Sequence, residues 1–231
     1  MLNKKKDIPS TTRGFFLYLC FNMEYKDREV YYTDDGRLMD GFLKSAIMMD
    51  WEKPIMEFQA KQICRNGGDI LNVGFGMGFF DDAVEKYKIK THHIIEIHPT
   101  VQEEMKKRGW DQKLHVKLYF GDWRDFMDVL PKFDGVYIDT WDEMILDFAA
   151  NVHKILKPGG VFSLFNNPKD DFDKDGITDE MVDILRGKFN IRVESILIPS
   201  IDPPERQTGR NDTAYWWQKD NIYHSPLFIL K

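Results

Sequence analysis

Only two of the 231 residues are cysteine, Cys20 and Cys64. That is too few for a disulfide framework and points to a reducing compartment. Long hydrophobic runs are also missing, and nothing approaches the ~20 apolar residues that cross a bilayer. The most apolar stretch near the start, Gly14 to Phe21 (GFFLYLCF), precedes Asn22, Glu24, Lys26 and Asp27. It is short for a signal-peptide core and has no small-residue cleavage site, so a strand or helix covering the core is expected. Long basic runs are missing as well: Asp and Glu outnumber Lys and Arg by 38 to 32, the net charge is −6, and Lys4-Lys5-Lys6 stands alone. Neither nucleic acid nor membrane is therefore an expected partner. The six histidines show no metal-ligand spacing, and His92, His93 and His98 read as neutral structural residues on and after a strand. Asp171 to Val182 (DFDKDGITDEMV) opens like a calcium loop but ends in Val182 instead of the bidentate glutamate, so a polar loop and no metal are expected. No internal repeat is present. A globular protein of the cytosol or nucleus is the default, as monomer or homodimer, with residues 1–231 forming one domain.

What is present is an alternation of apolar strands and polar helices. Strands are predicted at Ile70–Val73, His93–Ile97, Val116–Tyr119, Gly135–Asp139 and Val161–Phe165. Helices are predicted at Phe79–Tyr87, Thr100–Arg108, Trp123–Val129, Met144–Leu156 and Asp179–Lys188, with an earlier one beginning near Pro54. Lys157-Pro158-Gly159-Gly160 reads as a turn before the fifth strand. This is the pattern of a doubly wound α/β, Rossmann-like fold with a mostly parallel sheet. Arg192–Ile198, Thr213–Trp217 and Leu227–Leu230 read as strands without intervening helices, which predicts an antiparallel pair at one sheet edge. The sheet core is expected over about 67–231. Residues 1 to about 45 show a turn at Asp34-Asp35-Gly36 and few strong elements, and suit a cover or lid.

The chain is organised around Asp69–Phe80, DILNVGFGMGFF. A buried strand runs into Gly74, Gly76 and Gly78 and then into a helix, an arrangement that brings a nucleotide-like ligand against bare backbone. Glu96 ends the next predicted strand, about 20 residues on, where an acidic side chain meets ribose hydroxyls. The spacing G-x-G-x-G differs from the dinucleotide fingerprint, and Asp81 and Asp82 in the first helical turn would repel a pyrophosphate. A nucleoside without phosphates, such as S-adenosylmethionine, fits better.

The segments IMMDWEKPIM, ILNVGFGMG, HHIIEIHP, GDW, FDGVYIDT and LKPGGVFSLFN together resemble the guanidinoacetate N-methyltransferase family and its relative, the fungal-type (type IV) protein arginine δ-N-methyltransferase. The resemblance runs from about Tyr32 to the end of the sequence. It implies a class I methyltransferase fold with a seven-stranded sheet, S-adenosylmethionine as cofactor and S-adenosylhomocysteine as product, and a guanidino group as substrate. It implies that Glu52 and Asp139 are the catalytic carboxylates gripping the guanidino group. By their residues alone, Glu52 is equally a first-turn helix carboxylate and Asp139 a helix N-cap. The cofactor would be held by Met56, Phe75, Gly76, Met77, Gly78, Phe79, Phe80, Glu96, Ile97, His98, Asp122, Trp123 and Asp139. Met48, Glu52, Asp139, Asn166 and Asn167 would line the substrate pocket. Met48 and Met56 read equally as core filler and Trp123 as a packed aromatic, and the sequence departs from the family pattern after Asn166.

Two carboxylates suit a guanidinium. Its planar fork matches them bidentately, and its pKa leaves no free lone pair on nitrogen. The segment HPTVQEEMKKRGW, with YTDDGRLMD and MMDWEKPIM, favours a protein arginine acceptor. The fungal enzyme's long N-terminal extension has no counterpart here, which favours guanidinoacetate. A catalytically silent binding module of the same fold is the rival from another class, and intact Glu52, Glu96 and Asp139 argue against it. A dinucleotide oxidoreductase is disfavoured by the glycine spacing.

Overall fold

The computed structural model describes residues 24–140, 142–165, 179–198 and 222–231. Several sequence expectations lie outside the described residues: Cys20, Phe15–Met23, Asn166, Asn167, the first eight residues of the calcium-like loop and the strand at Thr213–Trp217.

The main body is a seven-stranded sheet. Its strands are β4 (Asp69–Val73), β5 (Thr91–Glu96), β6 (Val116–Phe120), β7 (Phe133–Ile138), β8 (Leu156–Leu164), β9 (Phe189–Leu197) and β10 (Ile222–Leu230). They lie in the order β6-β5-β4-β7-β8-β10-β9. The first five pair in parallel, while β10 runs antiparallel to both β8 and β9. The expected antiparallel edge is therefore present, with β10 inserted between two strands that precede it in sequence. Strand order reverses between β4 and β7, which opens a crevice at their carboxyl ends.

Side-chain alternation divides the core. Ile70, Ile94, Tyr137 and Val161 face one side, where they meet Met56, Ala60 and Ile63 of α1 (Lys53–Ile63), Phe80 and Ala83 of α2 (Phe79–Val84), and Val101 and Met105 of α3 (Pro99–Lys107). Their chain neighbours Leu71, Ile95, Val136 and Phe162 face the other, against Phe148 and Val152 in and after α4 (Asp142–Asn151) and Met181 and Leu185 of α5 (Asp179–Leu185). Strands apolar on both faces are what a sheet covered by helices on two sides requires. Buried Gln59 pins α1 to the far half of the sheet. Its amide donates to the Leu164 carbonyl at 3.1 Å, and its oxygen accepts from the hydroxyls of Ser163 and Ser225.

Residues 30–49 correct the expectation of a segment with few elements. They form a three-stranded antiparallel sheet, β1 (Val30–Thr33), β2 (Arg37–Asp40) and β3 (Ser45–Met49). Asp34-Asp35-Gly36 is the hairpin loop, closed by Thr33 opposite Arg37, with Gly36 at φ 82°. A three-residue loop ending in a left-handed glycine is a standard hairpin connection.

Several boundaries differ. The helix predicted at Met144–Leu156 ends at Asn151, a 3₁₀ turn follows at Val152–Lys154, and Leu156 opens β8. The predicted helix at Trp123–Val129 is a 3₁₀ turn, Trp123–Asp125, followed by a turn in which the Val129 and Leu130 N–H groups donate to the Phe126 carbonyl. α2 stops at Val84, where the backbone tightens so that Tyr87 N–H donates to Val84 C=O. Lys157–Gly160 lies within β8 as an irregularity: Leu156 pairs with Phe133 and Val161 with Gly135.

Candidate active site

The glycine loop follows β4 at the crevice. Gly74, Gly76 and Gly78 all have positive φ, at 95°, 56° and 76°. A Cβ on Gly74 would collide with the Asp139 carbonyl oxygen, and one on Gly78 would lie 2.5 Å from the Phe75 ring. Glycine is thus required by conformation and by crowding together.

Glu96, the last residue of β5, is buried and turns back onto this loop. Its carboxylate accepts the Phe75 N–H at 2.9 Å and the His98 N–H at 2.7 Å. Burial pushes its pKa up, against the pull of those backbone donors. His98 caps α3: Nδ1 accepts from Thr100 N–H and Nε2 donates to the Arg28 carbonyl, which fixes the neutral tautomer. Its ring also lies 5.0 Å from Tyr25. Ile97 is half-buried between the two.

Glu52 closes the 3₁₀ turn Asp50–Glu52 that leads into α1, with Pro54 in the first helical turn. Its side chain is 5 % exposed and accepts the Met49 N–H at 2.8 Å. Asp139 continues β7, donating its N–H to the Val73 carbonyl, and shares alternation with Tyr137, the face that carries α1. Burial raises the pKa of Glu52 well above the usual carboxylate range and pushes Asp139 up to about 7. The two carboxylates come from segments 87 residues apart and lie close enough that the charge of Asp139 raises Glu52 further. Both therefore lack, within the described residues, the cation that would lower them.

Met48 reaches the glycine loop and Met56 reaches Tyr137. The Met48 sulfur accepts the Met77 N–H at 3.2 Å, and fully buried Met56 receives the Tyr137 hydroxyl at 3.5 Å. Phe80 stacks on Tyr137 with ring centroids 4.3 Å apart, while Phe79 is half-buried at the start of α2. Asp122 caps the turn after β6, accepting the Arg124 N–H at 2.9 Å. Trp123 is buried edge-on to Phe148 at 5.0 Å, and its indole N–H has no partner among the described residues. A buried donor left unpaired is costly and unusual.

Four residues that sequence reasoning passed over belong to this site. Tyr32 and Arg108 reach the glycine loop, Asn72 donates to the Gly74 carbonyl and to Asp81, and Tyr137 stands beside the two carboxylates. Only the hairpin signal at Gly36 could have pointed to Tyr32. His92 also departs from expectation. It is buried with Nε2 2.9 Å from Asp81 and Nδ1 3.5 Å from Glu85, contacts off the line of good hydrogen bonds. Burial lowers its pKa, but the two carboxylates outweigh burial and leave it raised, so it is a structural histidine tied to two acids. His93, by contrast, is pushed down to about 4 by burial, in keeping with a neutral ring. No group of metal-binding side chains occurs among the described residues.

This architecture is that of the Rossmann-like methyltransferases. The tRNA (m1A58) methyltransferase TrmI of Aquifex aeolicus superposes with a TM-score of 0.54 at 13 % identity, covering 80 % of this chain and 70 % of that one. The O-methyltransferase TomG of Streptomyces achromogenes, solved in complex with SAM, gives 0.53 at 16 %, covering 77 % and 80 %. Residues 20–173 match the guanidinoacetate N-methyltransferase family, and the chain belongs to it. Its curated relatives include proteins named protein arginine N-methyltransferase 2. That of Yarrowia lipolytica is 38 % identical over 62 % of this chain and 33 % of its own length. That of Saccharomyces cerevisiae is 37 % identical over 69 % and 40 %. That of Aspergillus oryzae is 34 % identical over 89 % and 51 %. The chain thus spans about a third to a half of the length of these relatives.

Proposed function

We propose that this chain is an S-adenosylmethionine-dependent N-methyltransferase acting on a guanidino group, with the side chain of a protein arginine as acceptor. The carrying observation is the pair of buried Glu52 and half-buried Asp139, two carboxylates of raised pKa beside a bare-backbone nucleoside loop. The relatives named for arginine methylation favour the protein acceptor. The family match favours guanidinoacetate as the second reading.

The residues fit the cofactor. A Cβ at Gly76 would come within 3.1 Å of the Met48 sulfur, so the loop keeps its face narrow and bare. Glu96 would hold the ribose hydroxyls, with Asp122 and Ile97 towards the adenine, while Trp123 is packed against Phe148 with its N–H closed off from solvent. Asp81 and Asp82 at the start of α2 disfavour phosphate. When bound, S-adenosylmethionine supplies an electrophilic methyl group carried on a sulfonium.

The chain's own residues do the rest. Glu52 and Asp139 bind the guanidinium fork, localise its charge away from the reacting nitrogen and exchange a mutual repulsion for two ion pairs. Asp139, titrating near neutrality, holds the proton that the nitrogen gives up. Met48, Met56 and Phe80 keep water from that side of the site. Asn166 and Asn167 remain candidates for the pocket mouth.

The test is transfer of labelled methyl to guanidinoacetate, free arginine and an arginine-containing protein extract, compared side by side. Glu52→Gln and Asp139→Asn are expected to lower turnover by about 10²-fold or more. Glu52→Gln is expected to leave S-adenosylhomocysteine binding nearly intact. Normal turnover in the double variant would end the clamp reading.

A further inference from the structure

The cofactor loop is tied down one peptide group at a time. Asn72 Nδ2 donates to the Gly74 carbonyl at 2.9 Å, and Glu96 accepts the Phe75 N–H at 2.9 Å. The Tyr32 hydroxyl donates to the Gly76 carbonyl at 2.9 Å. The Met48 sulfur accepts the Met77 N–H, and Arg108 Nη1 donates to the Met77 carbonyl at 2.7 Å. Each tie comes from a different part of the chain: β4, β5, β1, β3 and the end of α3. Asn72 and Glu96 belong to strands that the fold fixes in any case. Tyr32 and Arg108 do not. Tyr32 reaches over from the small antiparallel sheet, 44 residues away in sequence. Arg108 is the C-cap of α3, held over the Phe75 ring at 5.3 Å and paired by Nη2 with Asp82 at 2.6 Å.

Arg108 also accounts for part of the crowding at the loop. A Cβ on Gly78 would lie 2.7 Å from Arg108 Nη1, so the third glycine makes room for the arginine as well as for the turn. Left-handed φ at Gly74, Gly76 and Gly78 leaves the peptide groups between them free to rotate in the absence of restraint. Carbonyls at Gly76 and Met77 held by donors cannot swing into the face that a nucleoside must approach.

We infer that Tyr32 and Arg108 are positioning residues that preset the Gly76 and Met77 carbonyls for S-adenosylmethionine, which makes the small sheet β1–β3 part of the cofactor site. This rests on the reading of the glycine loop as the cofactor's binding surface. Neither side chain is assigned to the reacting atoms. Their effect belongs in cofactor affinity, because the ordering of the loop is already done before binding and need not be drawn from the binding energy.

The experiment is calorimetric titration of S-adenosylhomocysteine into the wild-type chain, Tyr32→Phe, Arg108→Gln and Arg108→Lys, with no acceptor present. Tyr32→Phe removes one oxygen and keeps the ring, and is expected to raise Kd about 5- to 10-fold. Arg108→Gln is expected to raise it about 10-fold, and Arg108→Lys, which keeps the charge but not the two-pronged reach, to fall between. In turnover assays KM for the methyl donor is expected to rise likewise, with kcat at saturation within about 3-fold. A merely structural role would lower Tm and leave Kd unchanged. Kd within 2-fold of wild type in both Tyr32→Phe and Arg108→Gln overturns the inference. Arg108 is partly exposed, so its variants carry the test should Tyr32→Phe fold poorly. Because no acceptor is used, failure of every guanidino compound to accept a methyl group would sink the functional reading without touching this result.

Discussion

Two acids with raised pKa values in one small site carry a sign that can be read from pH. Asp139 titrates near 7 when folded against about 4 unfolded, so the folded chain holds its proton more tightly between those values. Glu52 is raised in the same sense, partly by Asp139 itself. Without ligand, stability from this pair is therefore fully present below pH 4 and declines as pH rises through about 7. Asp139→Asn and Glu52→Gln are expected to melt higher than wild type at pH 8, by roughly 2–4 °C for each kcal/mol of repulsion relieved. Their Tm is expected to converge on wild type towards pH 4, and scanning calorimetry at both pH values decides it. For a cationic acceptor the sign reverses. Binding needs the carboxylates charged, so KM for the guanidino compound is expected to fall from pH 6 to 8, a trend that Asp139→Asn flattens. Residues kept at a cost in stability are those that function requires. Glu96 belongs to the same class. Glu96→Ala is expected to weaken S-adenosylmethionine by about 1.5–3 kcal/mol, and unchanged calorimetric affinity in a folded variant would remove Glu96 from the ribose.

At the scale of the element, legibility followed periodicity. β4, β5, β7 and the glycine turn could be read directly, because buried parallel strands are continuous apolar runs and positive φ calls for glycine. Glu96 and Asp139 could be placed because both end such strands. The segment Trp123–Leu130 misled, since its apolar spacing suits a helix while Pro131 and the short path to β7 leave room only for turns. The small sheet was harder still. Its strands are only four or five residues long, too short to show a clear alternation, although the turn that joins the first two was legible. Tyr32 and Arg108 escaped for another reason: each acts through a contact across 44 or 31 residues, which no spacing rule anticipates. His92 escaped because its charge state is set by Asp81 and Glu85 from α2 and its end, not by its own strand.

The whole molecule joins a helix-covered parallel sheet to a small antiparallel one through the site. Residues 24–49 bond to the cofactor loop through Tyr32 and Met48 and to α3 through the Arg28 carbonyl and His98. Hydrogen exchange over Val30–Met49 is accordingly expected to slow on adding S-adenosylhomocysteine, and more with an acceptor present; identical exchange in all three states would count against a closing cover. The position of β10 has a different kind of consequence, in the order of assembly. A ribosome delivers β8 and β9 before β10, yet β10 must lie between them. Until residues 222–230 emerge, β8 has one bare edge and β9 has no neighbour to pair with, while Ser163 and Gln59 wait for Ser225. The five parallel strands can gather as they are made. The last two join only by insertion, a long-range step that leaves an open strand edge exposed in the nascent chain until it is complete.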